Sequence, residues 1–127
     1  MEYKLIEPTI TKDGSFTLFS SQFQEHYHSV NDGALSEAME KHIKPAFFHI
    51  KKLKLKKIKI LDICFGLGYN SLASLFYIDK MGLDTEVEIF SPELDAELIS
   101  SLCAYKYPKE LQKYIPILSD ISKNHYF

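Results

Sequence analysis

The chain has 127 residues, 46% hydrophobic and 25% charged, with a formal net charge of −2. That is enough apolar material for one core, and too little charge imbalance for the whole protein to hold nucleic acid or a membrane surface through its field. No apolar run reaches the length of a membrane span, the start MEYKLIEP lacks a secretory apolar segment, and Cys64 and Cys103 have no CxxC spacing; a membrane anchor, a zinc site and a disulfide framework are therefore excluded, and a cytoplasmic setting is expected.

Residues 3–19 read as a β-hairpin or a pair of short strands, because Ile10 and Phe16-Thr17-Leu18-Phe19 flank Lys12-Asp13-Gly14-Ser15, where Asp-Gly suits a tight turn. A polar, aromatic segment, residues 20–32, follows with Glu25-His26-Tyr27-His28-Ser29. Its His-x-His pair lacks a third ligand at helical or strand spacing, so no metal site is assigned. Residues 33–43 are predicted helical, capped by Asn31 or Asp32 and striped by Leu35, Met39 and Ile43. Pro45 is expected to interrupt that helix and to start a second one running to about Leu53. The run Lys51-Lys52-Leu53-Lys54-Leu55-Lys56-Lys57-Ile58-Lys59 reads either as a phosphate-contacting stripe for RNA, carried by Lys51, Lys52, Lys54, Lys56 and Lys57, or as a solvated helix end and linker.

Residues 58–71, IKILDICFGLGYNS, are the most informative stretch. A β-branched run ends in Phe65-Gly66-Leu67-Gly68 and opens into a helical pattern through Leu72, Leu75, Phe76 and Met81, with Asn70 or Ser71 as cap and Gly82 as terminator. This order of strand, tight loop and helix starts a nucleotide-binding βαβ unit, in which exposed backbone N–H groups and the helix dipole face an electron-rich ligand. Gly68 is followed by Tyr69-Asn70-Ser71, with no lysine at the loop's end, which excludes a phosphate-gripping P-loop. Asp62 before the loop favours S-adenosylmethionine over a dinucleotide, because class I methyltransferases typically start this loop with Asp or Glu. The loop alone leaves both open.

Residues 85–90, TEVEIF, alternate like a strand whose second face is covered, and Ser91-Pro92-Glu93 ends it. A carboxylate at this strand tip can accept two hydrogen bonds from ribose hydroxyls. Glu93 is the first candidate and Asp95 the second. A helix over 94–105, striped by Leu94, Leu98, Ile99 and Leu102, a short helix over 108–114 and a strand near 115–118 complete the expectation.

Thr11-Lys12-Asp13-Gly14-Ser15-Phe16-Thr17-Leu18, Glu25-His26-Tyr27-His28-Ser29, Asn31-Asp32-Gly33-Ala34 with Glu37, Phe65-Gly66-Leu67-Gly68-Tyr69-Asn70 and Ser91-Pro92-Glu93 follow one another in an order that resembles the MnmC-like methyltransferases. The resemblance spans about residues 9–95. It implies a class I, Rossmann-like α/β fold with an N-terminal hairpin and helical lead-in, and S-adenosylmethionine as the source of a methyl group for the 5-aminomethyl group of wobble 2-thiouridine in tRNA. It implies cofactor contacts from Asp62, Phe65, Gly66, Gly68, Asn70 and Glu93, and a pocket near the methyl group lined by Tyr27, His28, Ser29 and Glu37.

Two departures from the family are visible. Cys64 stands where the family's loop begins with glycine, and the family's acidic catalytic motif falls beyond Phe127, so no catalytic residue is assigned. The expected organisation is one structural unit made of a lead-in, residues 1–55, and a partial Rossmann-like region, residues 56–127. So short a parallel sheet leaves an edge through which copies are expected to associate. A non-catalytic binding module and a nicotinamide-dependent oxidoreductase are the alternatives from other functional classes.

Overall fold

The computed structural model describes residues 5–124. Strands β1 (Thr9–Ile10) and β2 (Phe16–Thr17) pair antiparallel around the Lys12-Asp13-Gly14-Ser15 turn, as expected, with Gly14 at φ 82. Tyr3, where the expected hairpin begins, lies outside the described residues. Immediately afterwards β3 (Phe19–Ser20) and β4 (Glu25–His26) form a second antiparallel ladder, from the last residue of the expected hairpin into the segment read as polar and aromatic. Two-residue strands carry too little alternation to be seen in sequence.

The lead-in helix begins at α1 (Ala34–Glu37) and runs without a break through a π-helical stretch, Ala38–Ile43, into α2 (Lys44–Ile50) and a 3₁₀ turn, Lys51–Leu53. Pro45 therefore does not interrupt the helix. The wider π turn sets the next donor, Lys44 N–H, onto Met39 O five residues back, and Pro45 falls in the first turn of α2, where its missing N–H and its ring do least harm. Nor does Asn31 or Asp32 cap the helix. Gly33 occupies that position with no side-chain bond of its own, and the first N–H groups are satisfied from the hairpin: Ala34 N–H donates to Thr11 Oγ1 at 3.1 Å, Leu35 N–H to Ser15 Oγ at 3.2 Å and Ser36 N–H to Asp13 Oδ2 at 2.8 Å. The hairpin turn is thus the cap, which ties together the Thr11–Ser15 and Gly33–Ala34 motif elements. Burial alone would raise the Asp13 pKa, but hydrogen bonds from Ser15 and Ser36 outweigh it and hold the carboxyl well below the usual range.

The second half is a parallel βαβ unit. β5 (Lys57–Leu61) leads through the glycine loop into α3 (Tyr69–Met81), which ends at Gly82 with φ 62, and the chain returns as β6 (Glu86–Phe90) alongside β5, pairing Lys57 with Glu86 and Leu61 with Phe90. The lead-in helix packs on one side of α3 and the C-terminal helices on another. Buried residues Tyr69, Leu72, Ala73, Tyr77 and Ile78 of α3 meet Phe16, Leu18, Ala38 and Phe47 of the lead-in within one core. α3 is consequently buried on several sides, and Met81, expected on its apolar stripe, is exposed.

Three further expectations are corrected here. The second face of residues 85–90 is not covered: Glu86 and Phe90 are exposed, and Lys57 lies 3.4 Å from Glu86 and 3.3 Å from Glu88. Charge at every second position on both strands makes a wet face. Leu94 is fully exposed, and the next helix, α4 (Ala96–Ser101), starts later because Asp95 caps it through Leu98 N–H at 2.9 Å. Residues 115–118 are not a strand but the first turn of α5 (Ile115–Asn124), with Pro116 near its start, where proline is tolerated. Leu98, Ile99, Leu102 and Leu118 are buried. No helix among the described residues is long and apolar enough to cross a membrane.

Candidate functional site

The loop from Asp62 to Gly68 sits at the C-terminal ends of the two parallel strands, where α/β sheets bind ligands. Its shape is set by bonds to the tip of β6: Asp62 N–H donates to Phe90 O, Phe65 N–H to Pro92 O at 3.1 Å, and Gly66 N–H to Glu93 Oε2 at 2.8 Å. The other Glu93 oxygen accepts from Leu94 and Asp95 N–H at 2.8 and 3.1 Å. Glu93 is therefore at the expected strand tip, oriented by three backbone donors. Ser91 Oγ donates to Asp62 O at 2.7 Å and locks the two tips together, a role that the sequence signalled only by the position of Ser91 beside Glu93.

Asn70 and Ser71 do not cap α3. Gly68, at φ 80, takes the cap position without a side-chain bond, and both residues turn back to the Asp62 carboxylate, Ser71 Oγ at 2.8 Å and Asn70 Nδ2 at 3.4 Å. The first turn of α3 thus has no side-chain cap, while Asp62 is held by two side-chain donors. Asn70 Oδ1 is buried with no hydrogen-bond partner among the described residues, and Asp62 and Asn70 line a groove of about 200 Å³ together with His42, Phe47 and Leu61. Cys64 is exposed and adopts φ 67, a conformation suited to the glycine it replaces. A Cβ on Gly68 would lie 2.7 Å from the Phe65 ring, so this glycine lets Phe65 fold under the loop.

Tyr27, His28, Ser29 and Glu37 lie together, with Tyr27 against this same loop and His28 against the start of α3. A Cβ on Gly66 would sit 3.5 Å from Tyr27 Cδ1, and the His28 ring meets Tyr69, the first residue of α3, edge-on at 5.2 Å. Glu37 binds this segment twice: Oε1 faces His28 Nδ1 at 3.2 Å and Oε2 accepts Ser29 N–H at 3.1 Å. Thr17 Oγ1 accepts His28 N–H at 3.0 Å, so β2 also fixes the segment. The four residues share an open groove of about 590 Å³ with Thr9, His26 and Asn31. Burial lowers the His28 pKa despite the opposing hydrogen bond and charge of Glu37. Tyr69, whose importance the sequence did not signal, donates to Phe16 O at 2.7 Å and accepts Phe16 N–H at 3.2 Å. It joins loop, hairpin and His28, and burial raises its pKa.

The lysines lie elsewhere. Lys51 to Lys57 precede or begin β5, one strand length, roughly 15 Å, from the loop at its other end. Lys56 pairs with Asp84 at 3.4 Å and Lys57 with Glu86 and Glu88, while Lys51 and Lys52 lie over the Phe48 ring at 5.5 and 4.4 Å. Lys54 has no ion pair among the described residues and lines a groove of about 280 Å³ with Lys51 and Lys56. No group of three or more His, Cys, Asp or Glu among the described residues is placed to hold a metal ion.

No family model matches the chain. It is 39% identical over 83 residues to an uncharacterized protein of Methanocaldococcus jannaschii, an alignment covering 65% of this chain and 21% of that protein. It is similar to the crystal structure of MnmC2 from Aquifex aeolicus, with a TM-score of 0.75 and 32% identity over 94% of this chain and 38% of that one. The chain thus spans well under half the length of both proteins. The resemblance to the MnmC-like proteins read from the motifs is borne out, and the match is consistent with the N-terminal half of such a protein.

Proposed function

We propose that this chain is the cofactor-binding part of a class I, Rossmann-like methyltransferase that uses S-adenosylmethionine and acts on the 5-aminomethyl group of wobble 2-thiouridine in tRNA. The observation that carries the reading is the constellation at the strand tips, Asp62 and Glu93 just beyond the ends of neighbouring parallel strands with Tyr27 laid against Gly66 between lead-in and loop. The residues fit such a cofactor. Asp62, Glu93 and the orphaned Asn70 Oδ1 are acceptors for an ammonium and ribose hydroxyls, and the uncapped first turn of α3 offers N–H groups to a carboxylate.

When bound, the cofactor supplies an electrophilic methyl group on a sulfonium. The chain's own contribution is positioning, which can reach effective molarities of about 10⁵ M or more. Gly66 keeps backbone close to the ligand, Gly68 leaves room for Phe65 to prop the loop from below, and Tyr27 closes one side. Lys51, Lys52 and Lys54 are the proposed phosphate contacts, since Lys56 and Lys57 are engaged with carboxylates. A second reading, a binding module without turnover, draws support from Cys64 at φ 67. Calorimetry with S-adenosylmethionine, S-adenosylhomocysteine and NAD tests the proposal: the first two should bind and NAD should not. Binding of NAD alone would favour the oxidoreductase, and no binding of any would refute the cofactor assignment.

A further inference from the structure

His28 has one committed ring nitrogen and one that is not. Nδ1 faces Glu37 Oε1 at 3.2 Å, and Glu37 is itself anchored by Ser29 N–H at 3.1 Å. A carboxylate only accepts, so the proton sits on Nδ1 and Nε2 keeps its lone pair. Nε2 has no hydrogen-bond partner among the described residues, and it is not among their sealed, unpartnered polar atoms. The side chain is 12% exposed and opens on the groove that it shares with Tyr27 and Glu37. Every element around the ring is accounted for: Thr17 holds its backbone from β2, Tyr69 packs on it from α3, Glu37, itself 3.7 Å from Lys41, faces it from the lead-in helix, and His42 and Asp62 are the other charges that act on it.

We infer that His28, through Nε2, is the proton acceptor for the amine that is methylated, and that Glu37 is its positioning residue; this rests on the methyltransferase reading above. An aliphatic amine resembling a lysine side chain is protonated at neutral pH and has no lone pair to offer. In the step assigned to His28, one N–H bond of the substrate ammonium breaks. The proton moves to Nε2 and the electron pair stays on the substrate nitrogen, leaving a neutral amine and an imidazolium. Glu37 faces the charge so formed, and the proton later leaves to water. Burial keeps the imidazole neutral at neutral pH, so the lone pair is present, and the Glu37 hydrogen bond and charge oppose that burial once the ring takes up the proton.

The test has two readouts on the full chain. Long-range ¹H–¹⁵N spectra, with the His28 signals assigned by their loss in His28→Gln, should show the Nδ1–H tautomer at pH 7.5 and its loss in Glu37→Gln. In single-turnover assays with tRNA bearing the 5-aminomethyl group and saturating S-adenosylmethionine, His28→Gln should transfer methyl about 10²-fold more slowly at pH 7. It should recover towards pH 10, where the amine sheds its proton unaided, with unchanged affinity for S-adenosylhomocysteine. An Nε2–H tautomer or a parallel pH profile in His28→Gln would overturn the inference while leaving the cofactor assignment standing. Failure of the wild type to bind cofactor would overturn both.

Discussion

Gly33→Ala is expected to be among the most damaging single-methyl changes in this chain. At φ 93 and ψ 134 the residue lies where side chains are rarely found, so alanine there costs about 2 kcal/mol from the backbone alone. A Cβ would also stand 2.3 Å from Asp13 Cγ and 2.5 Å from Oδ2, which forces Asp13 out of its seat. That releases Ser36 N–H and Oγ at 2.8 and 2.9 Å and Ser15 N–H at 3.0 Å, a lost helix cap together with a lost turn and about another 2 kcal/mol. The total, about 4 kcal/mol, is a large part of the roughly 6–19 kcal/mol expected for a domain of this length. Asp13→Ala should cost about 2 kcal/mol, and Gly33→Ala placed in that background should cost about 2 to 3 more, less than in the wild type, because the carboxylate is already gone while Cβ of residue 13 still stands 2.8 Å from the new methyl. Urea unfolding of the four proteins followed by far-UV circular dichroism gives the coupling. Additive costs, or a Gly33→Ala penalty below about 1 kcal/mol, would refute the idea that the hairpin turn caps the lead-in helix.

Other outcomes follow from the same geometry. Gly68→Val, which must displace the Phe65 ring 2.7 Å from the new Cβ, should abolish S-adenosylhomocysteine binding by calorimetry while the circular dichroism spectrum persists; unchanged affinity would remove Gly68 from the site. Cys64→Gly should stabilise the fold by about 1 kcal/mol in thermal unfolding by relieving φ 67, and a loss of stability would show that the thiol makes a contribution of its own. Replacing Lys51, Lys52 and Lys54 with glutamine should flatten the salt dependence of tRNA binding by up to about two units of log–log slope, whereas Lys56 and Lys57 replaced together should leave it unaltered. Because the folded pKa of His28 lies below its ordinary 6.5, its contribution to stability is complete above that pH and is lost as the pH falls through 6.5 towards the folded value. Unfolding between pH 7 and 5 should accordingly be less pH-dependent in His28→Gln than in the wild type.

How much of this was legible in the sequence depended on how local each cause was. The run from Lys57 to Met81 announced itself, because β-branched residues, two loop glycines and a terminating Gly82 act within a few positions. The continuous helix through Pro45 did not, since a π turn relieves a proline without a compositional mark. Neither did the caps: Asn31, Asp32, Asn70 and Ser71 are good capping residues, yet tertiary partners claimed the work, Thr11, Asp13 and Ser15 for one helix and a bare Gly68 for the other. Within the candidate site, Asp62, Gly66, Glu93, Tyr27 and His28 were visible as motifs. Tyr69 was hidden, because its partners Phe16 and His28 are brought to it only by the packed fold.

The alternating charges of β5 and β6 restrict what can ever be laid over that side of the sheet. Stripping water from Lys57, Lys59, Glu86 and Glu88 would cost several kcal/mol per ion, more than the roughly 1.5–3 kcal/mol gained by sealing each of Leu61 and Phe90. A covering layer can therefore grip only the rim where Leu61, Ile63 and Phe90 stand exposed beside the loop, and it must leave the lower half of the sheet hydrated. The same ions act as gatekeepers against strands from other molecules, which directs any assembly of this chain towards the end where the glycine loop stands.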